Sequence, residues 1–351
     1  MQNCRTEPTN KMQLLKKIGI EKSTNVTKFI LIGFRNPQQL QFLLFSLFLL
    51  IYMIILAGNI LIVVLVIKDK QLHTPMYFFL GNFSFIETCY SSTVLPKALI
   101  SLQTGDRSIS FQLCFIQHYF FASLGAVECY LLSVMSYDRY LAICHPLHYA
   151  NKMNGKFCLK LVGSSFLSGF LAISTTIALL SSLDFCGPNE INHFFCDVFP
   201  LIELSCSDTH LLKILIYLIS FLFTVPPFLL TVISYGCIIT AVLKITSSSS
   251  RQKAFSTCSS HLIVVTLFYG TITIVYILPN TDTLRNLNKV FSVFYAVLTP
   301  MINPLVYSLR NNEVKKALRK HMCQLFINLL SLSTKLCRSM SLRIVCPQYD
   351  N

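Results

Sequence analysis

Long uncharged runs most constrain what this chain can fold into. Five runs contain no Asp, Glu, Lys or Arg, and two more contain a single Glu each. A helix needs about 20 residues to cross the hydrocarbon layer of a membrane, and each run is at least that long. In order, the runs are Asn36–Ile67, Gln71–Pro96, Ser108–Tyr137, Leu161–Leu183, Ile214–Leu243, Ala254–Thr281 and Val290–Leu309.

Only helices and closed barrels satisfy every backbone hydrogen bond within a bilayer, and the alternating pattern of a barrel is absent. The sequence therefore predicts an all-α membrane protein, a seven-transmembrane helix bundle. An eighth apolar stretch, Met322–Thr334, is too short to span and follows the charged segment Glu313–Lys320. We expect it to form a short cytoplasmic amphipathic helix at the membrane surface.

Composition agrees with a membrane protein and argues against other classes. Charged residues make up 13% of the chain, against about 25% in soluble domains. The net charge of +14 comes from short loops and tails, and no basic face is interleaved with aromatic residues, so we expect no nucleic-acid partner. No CxxC pair suggests a zinc site, and we expect no metal cofactor of that kind, no catalytic residue and no enzymatic activity.

Lys and Arg in the short loops predict the orientation. They follow the first, third, fifth and seventh runs, whereas most acidic loop residues lie at the opposite ends. This places the N-terminus outside a plasma-membrane protein, although the N-terminal segment itself contains several lysines. The sequon at Asn25 agrees, because glycosylation needs an extracellular or luminal site. The predicted divisions are an extracellular segment 1–38, a transmembrane domain 39–310 and a cytoplasmic tail 311–351.

Four cysteines fall on the predicted outer side. Cys114 begins the third span, and Cys186, Cys196 and Cys206 are spaced ten residues apart in the loop before the fifth. Four thiols in an oxidising compartment allow three pairings, and spacing alone selects none of them.

Polar residues inside the predicted spans are costly and mark functional sites. Counted from the membrane ends, Asn59, Glu87, Glu128 and Asn303 fall in one layer of the bundle. They either join helices as separate polar contacts or form one network that holds water or a cation, with Na⁺ near Glu87 and Glu128. Proton- or ion-coupled transport could also use two carboxyl groups, but the internal repeat common in transporters is missing.

The third span ends in adjacent opposite charges, Asp138 and Arg139. An arginine there can simply extend to the lipid headgroups. The alternative is that Asp138 and Arg139 form a pair with no net charge until another group displaces the aspartate. Pro300 and Pro304, four residues apart in the seventh span, predict a kink that can move beside this charge.

These residues together resemble the vertebrate odorant receptor family of rhodopsin-like G-protein-coupled receptors. The matching segments extend in the family's order over residues 25–320. They include Ala57–Asn59, Pro75–Leu80, Ser136–Tyr149, Ser234–Tyr235, Lys253–His261, Phe268–Gly270 and Pro300–Asn311.

The resemblance implies a receptor that binds small volatile ligands and activates a heterotrimeric G protein, the stimulatory olfactory type that raises cAMP. It also implies the disulfides Cys114–Cys196 and Cys186–Cys206. The positions that match the family's coupling and switch motifs are Asp138, Arg139, Tyr140, Tyr235, Asn303, Pro304 and Tyr307. One departure is Glu87, where the family more often has Asp.

A volatile ligand offers few polar groups, so its site should be mostly apolar. One face of the third span contains His118, Phe121, Ala122, Gly125 and Ala126 at helical spacing in its outer half. Facing positions by analogy with the family are Ile219, Phe223, Tyr269, Ile272 and Val275. Such stripes also arise from ordinary helix packing, so this ligand set is a hypothesis.

Overall fold

A computed structural model describes residues 26–33, 38–185, 189–244, 247–278, 289–310 and 313–323. Eight helices within these ranges are labelled in chain order: α1 Gln38–Lys68, α2 Pro75–Thr104, α3 Phe111–Cys144, α4 Gly155–Ser181, α5 His210–Leu243, α6 Ser248–Ile272, α7 at 289–310 and α8 at 313–323. A π-helical turn, Thr273–Ile277, extends α6, and another, Phe294–Leu298, interrupts α7.

Each of the seven apolar runs contains a long helix in its described part, but the helix ends differ from the charge boundaries. The helix α2 begins at Pro75, a residue suited to the first helical position, and ends before Gly105 in the left-handed conformation, with φ of 75°. The helix α3 continues to Cys144, so Asp138 and Arg139 lie within it. A helix can continue past a charged residue once it leaves the hydrocarbon layer, so charges do not mark its end. The residues that cap the helix set its ends instead.

The helices differ in how apolar they are. Among the described residues, Leu40–Lys68, Phe111–Cys144, Gly155–Ser181 and His210–Leu243 are long and apolar enough to cross a membrane. The more polar α2 buries Glu87, Ser84 and Ser91 and contacts α1, α3, α4 and α7. Its polar side chains can therefore be buried in protein rather than in lipid.

A small sheet, absent from the sequence-based prediction, covers the end of the bundle where α3 begins. Its strands are β1 Lys28–Leu31, β2 Ser108–Ser110 and β3 Glu190–Ile191, in the order β2-β1-β3. The strand β1 pairs antiparallel with β2 and parallel with β3. The sheet therefore joins the N-terminal segment to the loops before α3 and α5.

At the opposite end, α8 contacts the turn between α1 and α2. Asp69 in this turn is buried, accepts the backbone N–H of Gln71 and is 3.1 Å from Lys320 Nζ on α8. The Gln71 N–H and then Lys320 hold the pKa of Asp69 below its usual value of 3.8. The helix at 313–323 covers the charged segment that precedes the predicted amphipathic stretch Met322–Thr334, most of which lies outside the described residues, so that stretch stays a prediction.

The helices α1 and α7 pack closely at Gly58. A Cβ atom added to Gly58 would lie 2.8 Å from Cβ and 3.0 Å from Cγ of Pro304. The ring of Pro304 is rigid and bonded to the backbone, so it cannot turn aside as a long side chain could. Glycine at this position is therefore required for the observed distance between the two helices.

We predict that Gly58→Ala separates α1 from α7 and destabilises the protein by about 1–3 kcal/mol, the usual cost of overpacking. Thermal unfolding of the purified protein measures this change. Gly236→Ala in α5 is the matched control, because its added Cβ would meet no atom within 4 Å. Equal melting temperatures for the two variants would contradict the proposed close contact.

Candidate functional site

A cavity of about 100 Å³ lies among α3, α4, α5, α6 and α7 beneath the loop before α5. Its wall is mostly apolar, with stacked rings of Tyr90 and Phe121 on one side, their centroids 4.6 Å apart. Phe195 of the covering loop packs on Phe121 at 4.7 Å between centroids. The cavity therefore has the chemistry expected for small apolar ligands.

Eight of the ten residues predicted for ligand binding line this cavity. They are His118, Phe121, Ala122, Gly125, Ala126, Ile219, Phe223 and Ile272. The lining does not include Tyr269 and Val275, although both are buried. The hydroxyl of Tyr269 donates to the carbonyl of Cys129, and the π-helical turn Thr273–Ile277 changes the helical phase around Val275.

Several lining residues were missed because they come from helices that sequence spacing could not place around the cavity. They are Tyr90, Cys129, Ile173, Thr176, Val198, Ile216, Ser220, Thr224, Tyr276 and Tyr295. A helical period identifies one face of one helix, but which other faces meet it depends on tertiary packing. Some of them had a local signal, since Cys129 follows Gly125 by four residues, Ile216 precedes Ile219 by three and Tyr276 follows Ile272 by four.

A buried carboxylate behind this wall was also missed. Asp197, in the covering loop, is 3% exposed, and its two carboxylate oxygens accept the Tyr276 hydroxyl at 3.1 and 3.0 Å. Its Oδ1 also accepts the Val198 N–H at 2.7 Å, and Tyr276 is 3.0 Å from the hydroxyl of Tyr295. Burial raises the pKa of Asp197 from 3.8 to about 6, although the Val198 N–H and the Tyr276 hydroxyl oppose that shift.

The four intramembrane polar residues are buried, and the described contacts connect them. Asn303 Nδ2 donates to Glu87 Oε1, and Asn59 Nδ2 donates to the carbonyl of Pro300 at 3.2 Å. The carboxyl of Glu128 is adjacent to that of Glu87. In the described part of the chain, five buried oxygen atoms of these residues have no hydrogen-bond partner: Asn59 Oδ1, Glu87 Oε2, Glu128 Oε1 and Oε2, and Asn303 Oδ1.

The expected Asp138–Arg139 pair is not formed. Asp138 is buried and accepts the hydroxyl of Tyr149, at 2.9 Å, from the short helix Pro146–Lys152. Arg139 has no salt-bridge partner among the described side chains and is partly exposed. The reason is geometric, since successive residues of a helix point in different directions.

The predicted switch positions Tyr140 and Tyr235 lie at the same end of the bundle. The Tyr235 hydroxyl on α5 is 2.8 Å from Nδ1 of His261 on α6. The Tyr140 hydroxyl is 2.9 Å from Nε2 of His145. Pro304 of α7 packs against Gly58 of α1. Tyr307 lies on α7, but its side chain is outside the described part of the chain.

One predicted disulfide is present at the covered end. Cys114 and Cys196 are bonded and join α3 to the loop over the cavity. Cys206 is also disulfide-bonded. Its predicted partner Cys186 and the glycosylation site Asn25 lie outside the described residues, so both of those assignments stay predictions.

We predict that Asp197→Asn changes how stability depends on pH. The folded protein binds this proton more tightly than the unfolded chain, so its contribution to the unfolding free energy falls as pH rises from 3.8 to about 6. Wild type should therefore lose stability relative to Asp197→Asn across that window, by up to about 1.4 kcal/mol per pH unit.

Thermal melting of both proteins below, within and above this window tests the prediction. Asp106→Asn is a control of opposite sign, because the Ser108 N–H holds the pKa of Asp106 below 3.8. A melting difference between wild type and Asp197→Asn that stays constant with pH would contradict the prediction.

Comparison with known proteins identifies the family. The olfactory receptor family model matches residues 48–325. Olfactory receptor 5AP2 of Mus musculus is 48% identical over 305 residues, which are 87% of this chain and 96% of that receptor. Olfactory receptor 6B1 of Homo sapiens is 48% identical over 304 residues, 86% of this chain and 96% of that receptor. The chain therefore belongs to the olfactory receptor family of rhodopsin-like G-protein-coupled receptors, which are seven-transmembrane plasma-membrane proteins and not enzymes.

Proposed function

We propose that this receptor binds small, mostly apolar odorants in the cavity beneath Phe195 and activates the stimulatory olfactory G protein, raising cAMP. The observation that supports the binding site most strongly is the cavity itself. Val198, from the loop that the Cys114–Cys196 disulfide holds to α3, forms part of its wall, and eight residues of the predicted ligand set line it.

The disulfides also support an extracellular N-terminus. Cys114, Cys196 and Cys206 are oxidised, as expected for a site in an oxidising compartment. The strand β1 pairs with β2 and β3 at the same end of the bundle. The N-terminal segment therefore lies on the side of the disulfides, and α8 with its basic residues lies on the opposite, cytoplasmic side.

The inner end of the bundle is suited to bind a G protein. Asp138 is held by Tyr149, and Arg139 is left without a charged partner among the described residues. The contact between Tyr235 and His261 joins α5 to α6 beside it. Ligand binding favours a state in which these two helices move outward and Arg139 meets the G protein, so ligand and G protein each tighten binding of the other.

The buried polar residues fit a bound cation. Five oxygen atoms of Asn59, Glu87, Glu128 and Asn303 are without hydrogen-bond donors in the described structure, and oxygen ligands are what hard cations prefer. Within the described residues, no group of three or more His, Cys, Asp or Glu side chains could hold a metal ion, so the donors here are two carboxyl groups and two amide oxygens. The proposed occupant of this all-oxygen set is Na⁺, held by Glu87 and Glu128.

We predict that Arg139→Ala abolishes both basal and odorant-evoked cAMP while the receptor still reaches the cell surface. The measurement is cAMP in cells that co-express the olfactory G protein, with a panel of volatile alcohols, aldehydes, ketones and esters. Lys68→Ala, an exposed lysine at the inner end of α1, should signal as wild type does. Signalling by Arg139→Ala at normal surface expression would contradict the role of Arg139.

We predict that Gly125→Phe, which places a ring in the cavity, raises the half-maximal concentration of any active odorant at least about tenfold, or 1.4 kcal/mol. Dose–response curves from the same panel measure this change. An unchanged dose response at equal surface expression would contradict this ligand site. It would not contradict the proposed role of the inner end in G-protein coupling.

We predict that Na⁺ raises the melting temperature of the purified receptor relative to choline at equal ionic strength. A ligand that binds only the folded state stabilises it by about 2.7 kcal/mol at a concentration 100 times its dissociation constant. The double variant Glu87→Gln, Glu128→Gln should lose this dependence. A melting temperature that is the same in Na⁺ and choline would remove the cation from the proposal.

A further inference from the structure

The polar groups around the cavity differ in which ligand chemistry they can select. Tyr90, Ser220 and Thr224 present hydroxyls in the lining, and a hydroxyl can donate or accept a hydrogen bond. They therefore do not distinguish an alcohol from an aldehyde. His118 is different, because a neutral imidazole has one donating and one accepting nitrogen, and its surroundings decide which is which.

The covering loop fixes the proton of His118. Its Nδ1 lies 3.9 Å from Asp197 Oδ1, too far for a hydrogen bond but close enough for the negative charge to act on it. Nδ1 is the ring nitrogen nearer to this negative charge, which favours a proton there, so Nε2 is left with a lone pair and accepts.

His118 is buried, so a nitrogen of its ring that lacks a hydrogen-bond partner is costly. It is 3% exposed, and its Nδ1 has no hydrogen-bond partner among the described residues. The ring lines the cavity while Asp197 does not. Because Nδ1 is turned to the loop, Nε2 is the nitrogen available to a ligand.

Charge argues against ionic ligands. The described lining residues include no Lys or Arg, so a carboxylate ligand would have no cationic partner among them. The carboxylate of Asp197 would attract an ammonium group, but both of its oxygens already accept hydrogen bonds. The Tyr276 hydroxyl donates to both of them, and the Val198 N–H also donates to Oδ1. An amine could reach Asp197 only after Tyr276 had moved away.

Resting on the proposed odorant-binding function, we propose that this receptor selects neutral hydroxyl compounds, small alcohols or phenols, whose O–H donates to Nε2 of His118. The cavity of about 100 Å³ limits their size. An engineered apolar cavity of about 150 Å³ holds benzene, so the ligand is of the order of one ring or a short chain.

Two matched series in the cell-based cAMP assay test the proposal. One consists of benzyl alcohol, benzaldehyde, benzyl methyl ether and benzylamine, and the other of hexanol, hexanal and hexylamine. In at least one series the alcohol should be about tenfold or more potent than its partners, because a buried acceptor left unpaired discriminates strongly.

Variants separate His118 from the general shape of the cavity. His118→Phe should remove the preference for the alcohol, whereas His118→Gln, whose side-chain carbonyl can accept, should retain part of it. Tyr119→Phe is the neighbouring control, because Tyr119 contacts Ser174 on α4 and is not in the cavity lining, and it should keep the full preference.

An aldehyde, ether or amine as potent as the alcohol in both series would overturn the proposal, as would an undiminished alcohol preference in His118→Phe. Silence of the surface-expressed receptor toward every compound would overturn it too. In that case basal cAMP that depends on Arg139 would leave the proposed coupling function standing, and its absence would count against that function as well.

Discussion

The buried contact between Glu87 on α2 and Asn303 on α7 is the interaction on which the arrangement of the bundle depends. A carboxyl group far from water must find partners within the protein, and these come from other helices. Asn59 extends the connection from α1 to the carbonyl of Pro300, and Glu128 brings in α3. Four helices are thereby held in one register, although lipid supplies little hydrophobic force between them.

Close packing and polar contacts meet at α7. The carbonyl of Pro300 accepts a hydrogen bond from Asn59, and Pro304 packs against Gly58. The same short stretch of α7 therefore forms both kinds of contact with α1. The π-helical turn Phe294–Leu298 lies immediately before it. An irregular helix held tightly at one level can bend at another, which is the property expected of a helix that links a ligand cavity to a coupling surface.

Much of this fold was predictable from the sequence because bilayer thickness and backbone hydrogen bonding leave few alternatives. Uncharged runs located all seven spanning helices, and the periodicity of α3 located the cavity face from His118 to Ala126. The sheet of β1, β2 and β3 was not predictable, since strands of two to four residues have no clear alternation. Asp197 was missed because contacts between residues far apart in sequence bring its loop onto α3, namely the Cys114–Cys196 disulfide and the hydrogen bond from the Cys196 N–H to Gln117 Oε1.

Asp138 and Arg139 show how a buried carboxylate can be held without a salt bridge. Adjacent residues on a helix point in different directions, so Asp138 bonds a neutral partner, the hydroxyl of Tyr149, and Arg139 has no salt bridge within the described residues. In the outer half, Asp197 likewise takes neutral partners, the hydroxyl of Tyr276 and the Val198 N–H. A buried carboxylate held by neutral donors keeps its field, and at the cavity that field acts on His118. Under the functions proposed above, the charge of Asp197 would act at a distance on a neutral ligand, and the charge of Arg139 would act by direct contact with the G protein.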